Sequence, residues 1–193
     1  MENCDFAYRI LEEPSNDESC KRKNKKTKAN RERSNKPSKK LKKKRSNKVE
    51  LPLAFKEKIE QMGGDEVKFV IEKELTNNDV TETNGRLSVP KGKINESFLT
   101  PVEESYLNYE RNKQEKIVDI YVSLLDHDLN LWDEICLKKW KMETAEVYNI
   151  TDGWNELVAD NKWKKGQKVL VQLWSFRRNH KLYFALFKLS KDE

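Results

Sequence analysis

The chain has 193 residues, with 39 Lys and Arg against 33 Asp and Glu, a net charge of +6 and 37% charged residues. That length allows one ordinary domain and a tail. Three scattered cysteines, Cys4, Cys20 and Cys136, argue against a disulfide framework, and no apolar run approaches membrane-spanning length, so a soluble protein of a reducing compartment is expected, with no membrane partner.

Charge is segregated along the chain. Residues 21–48 hold 16 bases and one acid, Glu32, for a net of +15, whereas residues 1–20 are net −5 and residues 49–193 net −4. A stretch with so few apolar side chains and so much like charge cannot fold alone. Residues 1–50 are therefore expected to be a disordered arm. Its basic part reads either as a solvated tail or as a segment that binds phosphate and an importin. Lys39, Lys40, Lys42, Lys43, Lys44 and Arg45 are dense enough for a nuclear localisation signal, which points to the nucleus.

The folded part begins near Leu51. Leu51, Phe55, Ile59 and Met62 form one apolar helix stripe, with Pro52 in the first turn and Gly63-Gly64 as the stop. A short helix over 51–64, packed on the domain that follows, is expected. Alternation of Val67, Phe69 and Ile71 predicts a strand over 66–75. A turn-rich stretch over 76–85 leads to a short strand at Leu87 and Val89, stopped by Pro90. Thr100-Pro101-Val102-Glu103 has the form of a capping box, which predicts a helix or turn from Pro101 to about Asn112. Strands are predicted around 120–124, 135–137 and 147–150. Thr151 is placed to cap a helix in which Trp154, Leu157 and Val158 share an apolar face, so Trp154 is expected in the core. Residues 169–174 and 182–189 are apolar on both faces, as central strands are, with 175–181 as their polar connection. About seven short strands and two or three short helices suggest a closed or half-closed barrel.

Several segments resemble the plant B3 DNA-binding domain. Phe69-Val70-Ile71-Glu72-Lys73-Glu74-Leu75-Thr76-Asn77-Asn78-Asp79-Val80 is similar to its opening, with the K-x-L-T-x-x-D-V turn. Asn84-Gly85-Arg86-Leu87-Ser88-Val89-Pro90 resembles the strand that follows there. Thr151-Asp152-Gly153-Trp154-Asn155-Glu156-Leu157-Val158 resembles the T-x-G-W helix, and residues 161–169 the next turn, with Trp163 and Gln167 in place of Leu and Asp. Leu137-Lys138-Lys139-Trp140-Lys141-Met142 and Leu173-Trp174-Ser175-Phe176-Arg177 look like a subgroup of short, single-domain plant B3 proteins.

The resemblance implies a mainly β fold: an open seven-stranded pseudobarrel with short flanking helices, here over 65–191. It implies sequence-specific binding of double-stranded DNA in transcriptional regulation, by two loop arms in the major groove. By position these are residues 73–86 and 138–144. Arg86 then suits a guanine edge and Asn84 an adenine edge. Lys73, Lys138, Lys139 and Lys141 suit phosphates, and Trp140 a sugar or a thymine methyl. Lys138 and Lys139 point to opposite faces of a strand, so at most one faces the groove from within it. Arg86 also reads as a plain surface charge, and Trp140 equally as core. Glu74, Asp79, Glu82 and Glu143 crowd the arms with acid, which leaves the basic arm to supply phosphate affinity without sequence preference.

The alternative is a degenerate protein-interaction module that dimerises with DNA-binding B3 relatives and touches DNA weakly. Catalysis, metal and cofactor are not expected. Asp126-His127-Asp128 lacks the ligand number of a zinc site and reads as a polar turn. Glu66-Val67-Lys68 and Asp160-Asn161-Lys162 match a bare nuclease triplet, but neither has an obvious partner acid to complete a metal site.

Overall fold

A computed structural model describes residues 49–108, 119–142 and 145–189. The expected arm up to residue 48, with its basic segment and localisation signal, lies outside the described residues, as do Glu143 and Thr144 of the second loop. Three α-helices and seven strands follow in order among the described residues: α1 (Leu53–Gln61), β1 (Asp65–Glu74), β2 (Leu87–Pro90), α2 (Pro101–Leu107), β3 (Ile120–Leu125), β4 (Leu131–Lys141), β5 (Glu146–Thr151), α3 (Trp154–Asp160), β6 (Leu170–Arg178) and β7 (Lys181–Lys188). The strands form one sheet in the order β1-β6-β7-β3-β4-β5-β2. Neighbours are antiparallel except β3 and β7, which run parallel. No helix among the described residues is long and apolar enough to cross a membrane.

The sheet curls until its two edges nearly meet. No backbone ladder joins β1 to β2, and isolated bonds, most of them from side chains, close the seam instead. The Asn95 backbone N–H and side-chain amide both donate to Val70 O, at 2.9 and 3.3 Å, and Glu96 accepts from Phe69 N. Further along, Lys73 on β1 reaches Ser88 O on β2 at 2.8 Å. Unpaired edge groups are a liability that such bridging removes.

Two apolar clusters explain why β6 and β7 are buried on both faces. Val171, Leu173, Leu182, Phe184 and Leu186 point into the barrel with Leu87, Leu137, Ile150 and Trp154. Their neighbours Trp174, Phe176, Ala185 and Phe187 face outward and are covered by Leu51, Phe55 and Ile59 of the α1 segment. Alternating side chains make this possible, one set per face. Gly64 permits the close return of the chain from α1: a Cβ there would lie 2.6 Å from Ile59 Cγ2 and 2.8 Å from Phe176 Cδ2.

Two local expectations are corrected. Thr151 does not cap α3. It lies in β5 with its hydroxyl donating to Cys136 O, and the position before α3 is Gly153 at φ +77°. Residues 175–181 are not a polar connection either. β6 runs on to Arg178, and only Asn179 and His180, both at positive φ, make the turn. Arg177 can sit inside the barrel because Glu103 meets it in a two-pronged pair, at 2.6 and 2.7 Å, while Phe98 O accepts a third bond.

Candidate nucleic-acid interface

The loop from β1 to β2 is fixed at its base by one carboxylate. Asp79 is 2% exposed and accepts from Thr76 N, Thr76 Oγ1, Ser88 N and Lys73 Nζ, at 2.6–3.0 Å. Trp154, itself fully buried, donates from Nε1 to Asp79 O. Burial alone would raise the Asp79 pKa, but Thr76, the Lys73 charge and Ser88 outweigh it and hold the carboxyl below its ordinary value. The K-x-L-T-x-x-D-V segment is thus a structural device. Lys73, expected to reach phosphate, gives its ammonium donors to Asp79 and Ser88 O here and is only 15% exposed. The same geometry removes Asp79 from the acids facing outward on this loop.

The loop tip is held by turns. Asn84 N and Gly85 N both donate to Thr81 O, and Asn155 of α3 donates to Glu82 O. Gly85 adopts φ +50°, a left-handed conformation that costs glycine little. Asn84 and Arg86 are half-buried. The Arg86 guanidinium lies over the Trp140 ring, 4.6 Å from its centroid, with a long 3.4 Å bond to Asn84 O. β5 separates β2 from β4 in the sheet, so this cation–π contact crosses over β5. Trp140 remains 36% exposed and Met142 beside it 54%, so Trp140 lies at the surface and not in the core.

The lysines of β4 separate by face. Lys138 shares the outer face with Trp140 and pairs with Asp119 at 3.4 Å and Asp152 at 3.8 Å. Lys139 turns to the opposite side and is 3% exposed, bonded to Glu104 at 2.7 Å, Asn108 at 2.6 Å and Glu146 at 3.1 Å. Lys139, expected to contact phosphate, has its charge engaged in packing α2 onto the barrel. Lys141, at the end of β4, is exposed.

That packing is mainly ionic. No residue of α2 is buried. Its capping box is present, and Glu103 then holds Arg177 while Glu104 holds Lys91, Lys139 and Tyr148. Burial raises the Glu104 pKa, but its bonds from Lys139, Lys91 and Tyr148 prevail and bring it down to about 2. A depressed carboxylate contributes stability above its unfolded value of 4.5, and that contribution is lost as pH falls toward 2. Glu104→Gln is expected to destabilise the fold by about 1–2 kcal/mol at neutral pH. The difference from wild type should shrink through that acid window, as urea melts at stepped pH would record.

Among the described residues no group of three or more His, Cys, Asp or Glu could hold a metal ion. Asp126 instead organises the β3–β4 turn, accepting from Asp128 N, Asn130 N and Trp132 Nε1. Burial, with Asp119 nearby, pushes the Cys136 thiol up to about 12, so it carries no reactive thiolate near neutrality.

A near-closed seven-stranded sheet, helix-covered on the side of β6 and β7, with a cation–aromatic pair from the residue before β2 to β4, defines a small β-barrel domain. Residues 47–190 match the family described as B3 domain-containing protein At2g31720-like, and the chain belongs to this B3 domain-containing family. The family expected from the motifs is the one found. B3 domain-containing protein At5g24050 of Arabidopsis thaliana is 34% identical over 133 residues, 66% of this chain and 37% of that protein. B3 domain-containing protein At2g31720 of the same plant is 30% identical over 139 residues, 70% of this chain and 42% of that protein. The chain thus spans well under half the length of these relatives. Among solved structures, an Arabidopsis FUS3–DNA complex aligns with 64% of this chain and 100% of that chain, at 15% identity and a TM-score of 0.37.

Proposed function

We propose that the domain binds double-stranded DNA in transcriptional regulation, in the nucleus, with the loop tip at Asn84 and Arg86 and the strand end at Trp140 and Lys141 entering the major groove. One observation carries the reading. Lys73, Lys138 and Lys139 are each paired with acids, whereas Arg86 has no carboxylate partner among the described residues and rests on an exposed indole. A guanidinium with no ion pair to break is suited to a guanine edge. Selection of bound duplexes from a random pool by the full chain tests this, with an enriched motif as the expected result.

The basic segment 21–48 supplies phosphate affinity in this reading, and residues 39–45 the importin contact. Its deletion is expected to weaken binding to all duplexes alike and to flatten the salt dependence, since counterion release follows the number of phosphates neutralised. A change of preferred sequence would mean that the arm reads bases. Replacing Lys39, Lys40, Lys42, Lys43, Lys44 and Arg45 by Gln should leave a large fluorescent fusion partly cytoplasmic.

The neutralised lysines favour a second reading, a protein-interaction module that dimerises with DNA-binding B3 relatives. It predicts no enriched motif for the chain alone, and a motif only when such a relative is present.

A further inference from the structure

Asn149 is fully buried in β5, within the otherwise apolar run Val147-Tyr148-Asn149-Ile150. It is in register with Ser88 on one side and Lys138 on the other, on the outer face of the sheet. Its Oδ1 accepts from Ser88 Oγ at 2.9 Å, but its Nδ2 is buried with no hydrogen-bond partner. A buried amide left without a partner is unfavourable, and an aliphatic side chain at this position would avoid the penalty. Arg86 precedes β2 and Trp140 lies on β4, so their contact crosses β5 on the outer face, the face that carries Asn149.

We infer that Asn149 is a base-reading residue on the face crossed by the Arg86–Trp140 stack, and that its amide N–H bonds a major-groove acceptor once Arg86 leaves the indole for the DNA. The inference rests on the DNA-binding reading proposed above. Arg86 is poised for such a move, being tied down by one 3.4 Å bond and the stack, with no ion pair among the described residues. Ser88 is the positioning residue. Its backbone is fixed from both sides by Asp79 and Lys73, and its hydroxyl engages the Asn149 carbonyl, so the amide presents its donor end. A side chain whose oxygen is already engaged reads an acceptor such as guanine O6 or N7, or thymine O4. It is poorly suited to the two-pronged pairing with adenine, which needs both ends.

The test uses the full chain, the motif enriched from random duplexes, and the variants Asn149→Asp and Asn149→Ala. Each is expected to bind the motif about tenfold more weakly. The loss should map to one base pair: changing that pair should cost wild type about tenfold and cost the variants nothing further. Thermal melts identify any variant that fails to fold. Ser88→Ala then serves as a further variant, expected to relax the preference at the same base pair while the other positions hold. Variants that keep wild-type affinity and the wild-type cost at every base pair overturn the inference and leave the DNA reading standing. Failure of wild type to enrich any motif overturns both.

Discussion

Replacing Asp79 by Ala is expected to destabilise the domain by about 3–5 kcal/mol, the usual cost of stranding one member of a buried ion pair. Lys73 would be left 15% exposed without its counter-charge, and Thr76 N, Thr76 Oγ1 and Ser88 N would lose their acceptor together. The barrel seam loosens at the same step, since Ser88 is the point where β2 meets Lys73. In a domain of this size the thermal midpoint should fall by about 10–15 °C. The double variant Lys73→Met, Asp79→Leu should recover only part of the loss, because it removes the stranded charge but leaves Thr76 N and Ser88 N without their acceptor. The effect depends on pH in a definite sense. The folded carboxyl is held below the ordinary 3.8, so its contribution is present above that value and lost as pH falls through the folded pKa. The gap between wild type and Asp79→Ala should therefore be full at neutrality and close in strong acid. A gap that stayed constant across that range would show that the charge is not what matters.

Arg86→Ala is expected to cost about 1–3 kcal/mol on the selected duplex and much less on scrambled DNA. Arg86→Lys should fail nearly as badly, because an ammonium cannot reproduce a two-pronged bond to guanine. A phosphate clamp would lose affinity uniformly and be rescued by Lys. A plain surface charge would lose almost nothing. Isotherms of the three proteins on both duplexes at one salt concentration separate these outcomes, with thermal melts run in parallel.

Much of the framework was legible because its signals are local. The capping box at Thr100 and Glu103, the alternation in β1 and the apolar face of α3 all lie within a few residues of chain. The charge pairing was not. Lys139 looked available because Glu104, its partner, is 35 residues away and arrives on a different element. Arg177 made residues 175–181 look polar because Glu103, which neutralises it, is 74 residues away. Lys73 and Asp79 are only six residues apart, and a buried acid at the base of a loop was a readable reason for the motif's fixed spacing. Asn149 had a signal too, a lone amide in an apolar strand, but its meaning needed the register with Ser88.

The clamp at Asp79 divides the first loop into two kinds of position. Lys73, Leu75, Thr76 and Asp79 hold the fold, while Asn78, Glu82 and Thr83 point into solvent from a base that does not depend on their side chains. Recognition can therefore be rewritten at the exposed positions with little effect on folding. A library randomised at those three positions should stay folded almost throughout, and it would be a practical starting point for redirecting this barrel to new targets.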